Sequence, residues 1–275
     1  MFILYMESKW VVEQEVEKLP ILNKPIFIEG LPGLGNVGKI AADFLIEELK
    51  ATKLYSFFSY KFPHSVFVGE NNLVEMPKIE LYYKKFGGKN NKKDLLILTG
   101  DIQPIDEESC YTFCDVILNL IKQFNCSEVL TTGGIGLQHV PDEPKVYCTS
   151  NDEKLYKQFT KKGMGVESEI FGVVGPIIGV SGVLLGLGKK RHVKGVALLA
   201  ETFGHPLYLG IKGAQEILKV IEKRYVYKIN MKKMSQEIIE VEKELMGKTQ
   251  EWASETSHHP QAGAKVIDKE ISYIG

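Results

Sequence analysis

The chain has 275 residues, with 34 Lys and Arg against 35 Asp and Glu and a formal net charge of −1. This near-neutrality supplies no field that draws the protein to nucleic acid or to an acidic membrane, and leaves small molecules and other proteins as partners. Hydrophobic residues make up 44%, enough at this length for a sizeable core in one large α/β domain or two small ones.

In chain order, "MFILYMESKW" has no basic leader, and Glu7 breaks its apolar run before export-signal length, so the chain reads as cytoplasmic. "IFIEG", Ile26 to Gly30, is the first clear strand, followed by the glycine loop "GLPGLGNVGK". Val37, Ile40, Ala41, Phe44 and Leu45 then follow helical spacing, with Lys39, Asp43, Glu47 and Glu48 on the other face. "KLYSFF" from Lys53 precedes a hairpin region, "SVFVGENNLVEM" and "KIELYYKKF", in which Asn71 and Asn72 supply a turn.

"DLLILTGD", Asp94 to Asp101, is a buried strand leading to a helix from about Glu107 to Phe124. "EVLTTGGIG" repeats the design, with a strand from Glu128 to Thr131 and a glycine turn at Gly133 and Gly134. "FGVVGPIIGVSGVLLGLG", Phe171 to Gly188, reaches membrane-span length. Its six glycines and Pro176 favour a helix packed closely on a sheet, with Gly179, Gly182 and Gly186 at the approach. "GVALLAET", Gly195 to Thr202, is a further buried strand, and two pairing helices follow at roughly Ala214 to Arg224 and Met231 to Met246.

This alternation predicts an α/β fold, an open mostly parallel sheet with helices on both faces and a C-terminal helix pair. It forms a single domain over 1–247, with a flexible tail at 248–275. Cys110, Cys114, Cys126 and Cys148 form no CxxC pair and read as core thiols of a reducing compartment, and no metal site is expected. The basic run Lys189 to Lys194 reads as a solvated turn.

Gly33, Gly35 and Gly38 have the spacing of a dinucleotide fingerprint. Such a site needs an acid about twenty residues on to hold the ribose, and Leu49 to Gly69 contains none. A phosphate-binding P-loop needs a hydroxyl after Lys39 for Mg²⁺, and Ile40 stands there. The favoured reading is a sharp strand-to-helix bend entered through Pro32, with no cofactor.

With parallel strands, four loops gather at one edge: Gly33 to Gly38, Gly100 to Pro104, Thr131 to Gly134, and Ala200 to Pro206. Asp101, Gln103, Thr132, Glu201 and His205 would face a common cleft there. Glu201 and His205 as acid and base would act on a nucleoside or nucleotide. No nucleophile with a recognisable base accompanies them, and helix capping or loop ties account for the same residues.

The ordered set "GLPGLGNVGKIAADFL", "GDIQP", "TTGGIG", "GVSGVLLGLG" and "GVALLAETFGHP", followed by paired helices, resembles the archaeal branch of the proteasome assembly chaperone family over about residues 20–247. The resemblance implies an open α/β fold related to nucleoside phosphorylases, homo-oligomers, no catalysis and no required nucleotide. It further implies binding to proteasome α-subunits or the assembled core particle without ATP. In that family a C-terminal hydrophobic residue, a tyrosine and a last residue with a free carboxylate enter pockets between α-subunits. Here the chain ends Ile271, Ser272, Tyr273, Ile274, Gly275. The tyrosine is third from last, so Tyr273 would take the hydrophobic position and Ile274 the tyrosine slot, with the Gly275 carboxylate free for a pocket lysine.

Overall fold

The structure is a computed structural model that describes residues 3–4, 10–69, 71–86, 92–170 and 175–236. Its strands are β1 (Ile3–Leu4), β2 (Val11–Gln14), β3 (Ile26–Gly30), β4 (Thr52–Phe58), β5 (Phe67–Val68), β6 (Val74–Glu75), β7 (Ile79–Lys84), β8 (Leu95–Gly100), β9 (Glu128–Leu137), β10 (Val146–Ser150) and β11 (Gly195–Phe203). Its helices are α1 (Val37–Glu48), α2 (Glu107–Gln123), α3 (Glu153–Phe159), α4 (Val180–Lys190) and α5 (Ile211–Tyr225).

Nine strands form one sheet in the order β1-β2-β4-β7-β8-β3-β9-β11-β10. The middle four, β8, β3, β9 and β11, run parallel. The β3 register explains their burial. Ile26 and Ile28 enter one core, Phe27 enters the other, and the strand is covered on both faces, as a parallel strand between helix layers requires. The first core takes α1, α3 and α5, and the second takes α2 and α4. Asp106 accepts a bond from the Ser109 amide at 2.9 Å to start α2, and Asp152 accepts one from Leu155 at 2.8 Å to start α3.

A mostly parallel sheet describes the centre alone. Pairings of β1 with β2, β2 with β4, β4 with β7, β7 with β8 and β10 with β11 are antiparallel. β7 and β8 are joined by a short link that reverses the chain, whereas β10 and β11 lie antiparallel although residues 151–194, with α3 and α4, separate them.

β9 corrects a second expectation. Thr131 to Gly134 form no turn, since the strand continues through them to Leu137. Its glycines answer to close approach instead: a β-carbon on Gly134 would lie 2.3 Å from the Leu34 carbonyl oxygen. In the segment from Phe171 to Gly188 the helix begins only at Val180, and residues 171–174 lie outside the described set. Gly182 abuts the Ile177 carbonyl, while Gly186 has open space and supports no close packing. Among the described residues no helix is long and apolar enough to cross a membrane.

β5 and β6 form a separate antiparallel hairpin, with Val68 opposite Val74 and Phe67 opposite Glu75. Asn72 takes a positive φ of 60°, and Asn71 accepts the Leu73 amide, so the two asparagines make the turn. After α5, residues 231–236 are helical and Ser235 accepts a 2.8 Å bond from Gln215. The expected remainder of that helix and the tail at 248–275 lie outside the described residues.

Candidate functional site at the carboxyl edge

The parallel quartet brings the ends of β8, β3, β9 and β11 to one edge, where α/β sheets usually place ligands. β3 runs into a 3-10 turn at Leu34–Asn36 and then into α1. Gly33 starts the turn and its carbonyl accepts the Asn36 amide at 2.9 Å. Gly35 adopts φ +61°, open to a glycine at little cost, and a β-carbon there would lie 2.4 Å from Thr202 Oγ1.

A β-carbon on Gly38 would lie 2.4 Å from the Thr132 carbonyl oxygen. From outside, the Gly210 amide donates to the Gly35 carbonyl at 2.7 Å. The β-carbon positions of the bend are thus met by the backbone of Thr132 and Leu34 and by the Thr202 side chain, so these glycines let the bend pack closely on β9 and β11.

The five polar residues expected to share a cleft are dispersed among separate structural ties. Gln103 donates to the Pro32 carbonyl at 2.7 Å and accepts from the Val180 amide at 3.3 Å, joining the β8 loop, the glycine bend and the start of α4. Thr132 is buried and donates to the Glu29 carbonyl at 2.8 Å. Asp101 accepts the Lys78 amide at 3.1 Å. Glu201 accepts the Lys145 amide at 3.0 Å and the Tyr147 hydroxyl at 3.1 Å, facing β10. His205 is exposed, stacks on Phe203 with ring centroids 5.7 Å apart, and accepts the Leu207 amide at 3.3 Å.

A polar groove of about 650 Å³ between α1 and the antiparallel wing is lined by only Asp101 of these five. Two of its ion pairs are Lys39 with Asp43 at 2.9 Å and Lys78 with Glu75 at 2.7 Å.

Glu29 is the polar residue that sequence reasoning passed over. Its side chain is 1% exposed, accepts the Ser181 hydroxyl at 2.8 Å and accepts the Leu31 amide at 3.1 Å. Burial pushes its carboxyl up to about 7, against the opposing pull of these hydrogen bonds. The residue clamps β3 to α4 and is sealed from solutes. The signal was an acid inside the otherwise apolar run "IFIEG".

Among the described residues no group of three His, Cys, Asp or Glu side chains is placed to hold a metal ion. Cys110, Cys114 and Cys148 are buried and Cys126 half-buried, all as free thiols. The run from Lys189 to Lys194 turns between α4 and β11, with Arg191 paired to Asp115 and Lys194 to Asp152. Ile271, Tyr273, Ile274 and Gly275 lie outside the described residues.

A model of the PAC2 family matches residues 27–247. The chain belongs to the PAC2 family. Among solved structures it is similar to Pyrococcus furiosus PbaB, an archaeal proteasome activator, at 33% identity and a TM-score of 0.78, covering 88% of this chain and 99% of that one. It is also similar to Pyrococcus furiosus PbaA, an archaeal homolog of proteasome-assembly chaperone, at 27% identity and a TM-score of 0.68, covering 90% and 96%. An uncharacterized protein of Methanocaldococcus jannaschii is 25% identical over 265 residues, 96% of this chain and 98% of that protein. Each of these three proteins aligns with at least 88% of this chain.

Proposed function

We propose that this PAC2 protein is an ATP-independent assembly chaperone or adaptor of the proteasome, binding the α-subunits or the assembled core particle in the cytoplasm. The observation that carries the reading is the near-full-length similarity to PbaB and PbaA, whose own descriptions name a proteasome activator and a homolog of a proteasome-assembly chaperone. The reading contains no catalytic step. Its support is the engagement of Asp101, Gln103, Thr132, Glu201 and His205 in structural ties and the close packing of the glycine bend on β9 and β11. We read the sheet as a relative of the nucleoside phosphorylase fold whose ligand edge has passed to protein contact.

In this proposal a single domain over 1–247 carries a flexible tail at 248–275, and Ile271, Tyr273, Ile274 and Gly275 contact the proteasome. A charge-assisted hydrogen bond from the terminal carboxylate contributes roughly 1.5 to 3 kcal/mol, so one tail binds weakly. Several tails on one homo-oligomer bind more tightly, because each later tail engages intramolecularly. A pull-down from native archaeal extract with the full chain tests the partner. Recovery of proteasome α-subunits supports the reading, and their absence from the eluate counts against it.

A further inference from the structure

We infer that the β5–β6 hairpin is a second client-binding element, a finger that enters an apolar cleft of the proteasome core particle. The identity of the client rests on the proposed function, and the contact itself is read from the hairpin. Val68 pairs with Val74 and Phe67 with Glu75 in a two-stranded sheet that shares no strand with the nine-stranded one. Its turn is closed from within. The Gly69 amide donates to the Leu73 carbonyl at 3.0 Å, and the Asn72 amide donates to the Gly69 carbonyl at 2.9 Å.

Both roots of the hairpin are fixed to the body. On the incoming side Phe62 meets the buried Trp10 edge to face, with ring centroids 5.6 Å apart. On the outgoing side Pro77 is buried, the Asp101 amide donates to the Lys78 carbonyl at 2.8 Å, and the Asp101 carboxylate accepts the Lys78 amide at 3.1 Å. The finger is thus held in place at the edge where β8 ends.

Its composition specifies the kind of surface that receives it. Side chains alternate along a strand, so Val66, Val68, Val74 and Met76 share one face, while Phe67 and Leu73 lie on the other beside Glu75. All six apolar side chains are between 47% and 70% exposed, and none joins the buried cores. A strand resting on a flat surface needs one apolar face, whereas apolar side chains on both faces are the pattern of a strand covered from two sides. The receiving surface therefore has two walls. A ring of like subunits offers such a cleft at each junction, one for each copy of a ring-shaped client.

Area and polarity select this occupant over others. The six side chains adjoin one another through the pairing of β5 with β6, and together present an apolar patch on the order of 400 Å². A stable interface buries roughly 800 Å² per partner, so the hairpin does not hold two copies together. It suits a weak contact repeated by every copy of an oligomer. The exposed amides of Asn71 and Asn72 lead at the tip and oppose entry into lipid. Glu75 is neutralised by Lys78 at 2.7 Å and leaves the contact without net charge.

Titration of purified core particle tests the inference, using the full chain, Val68→Glu/Val74→Glu, and Leu19→Glu/Ile21→Glu as a control pair of exposed apolar residues in the segment that enters β3. The oligomeric mass of each is measured first. We expect the hairpin pair to keep the parent mass and bind at least about tenfold more weakly, and the control pair to bind as the parent does. Undiminished binding by the hairpin pair, or equal loss in the control pair, overturns the hairpin contact and leaves the proposed function standing. No binding by the parent chain overturns both. A smaller mass for the hairpin pair assigns the face to a second copy and also overturns the inference. Should the hairpin pair unfold, hydrogen exchange of the parent chain decides. At one protein concentration, amides of residues 66–76 should exchange several-fold more slowly with core particle bound than without it, and equal rates contradict the inference.

Discussion

Gly38 of α1 packs directly on the backbone of Thr132 in β9, leaving 2.4 Å between an added β-carbon and the Thr132 carbonyl oxygen. Gly38→Ala therefore separates α1 from the sheet and should destabilise the fold by about 1 to 3 kcal/mol. Gly186 in α4 has nothing within 4 Å of the same added atom. There alanine should be neutral or stabilise by up to about 1 kcal/mol through helix propensity alone. Urea unfolding of the two variants measures the contrast, and equal effects would remove the close-packing explanation of the bend.

Glu29 predicts a pH dependence of stability. Its carboxyl titrates near 4.5 when free and at about 7 in the fold, because burial disfavours the charge. Between these values the folded state keeps a proton that the unfolded chain has lost. Stability contributed by this residue consequently falls as pH rises from about 4.5 through 7 and levels off above, by a total on the order of 3 kcal/mol. The Ser181 hydroxyl and the Leu31 amide donate to it. Glu29→Gln should flatten this part of the profile, so its stability relative to the parent chain should rise between pH 5 and pH 8. A constant difference across that range would refute the buried-proton account.

The parallel centre was legible because its strands announce themselves. β3, β8 and β11 are apolar runs bounded by glycine and charge, and α1, α2 and α5 follow a helical period. The expected hairpin also formed, since paired asparagines supply the positive φ that its turn requires. β9 was misread because Gly133 and Gly134 look like a turn in one dimension. Only the packed neighbour, the Leu34 carbonyl, explains why a strand would carry them. β2, β10 and α3 were passed over, being short and mixed in polarity, with pairing decided by distant strands. The shared cleft failed for a related reason: sequence placed its residues on the right edge, but side-chain direction and bonding partners are tertiary properties.

Glu201 gives a direct comparison of structural and catalytic roles. Its carboxylate holds the Lys145 amide and the Tyr147 hydroxyl at the start of β10. Glu201→Ala should cost on the order of 1 kcal/mol of stability, since the Tyr147 hydroxyl loses its acceptor while the exposed Lys145 amide turns to water. Thermal-shift measurements of the parent chain with nucleosides and nucleotides should show no stabilisation. A ligand raising the melting temperature in the parent chain and not in the variant would restore the enzyme reading.

Assembly and client binding are linked in this account through effective concentration. A variant whose oligomer has broken into smaller species retains its tail residues yet should bind the proteasome core on the order of 10²-fold or more weakly, as expected when several linked contacts become one. Surface-immobilised core particle reads this as faster dissociation. Affinity unchanged in a demonstrably smaller species would separate oligomer formation from binding.

The most direct measurement is a titration of purified proteasome core particle with the full chain and with a chain lacking residues 273–275, both first shown to have the same oligomeric mass. The full chain should bind without ATP, and the shortened chain should lose at least about tenfold in affinity, the equivalent of one charge-assisted contact. Equal binding by both chains would contradict the tail mechanism, and no binding by the full chain would contradict the proposed function itself.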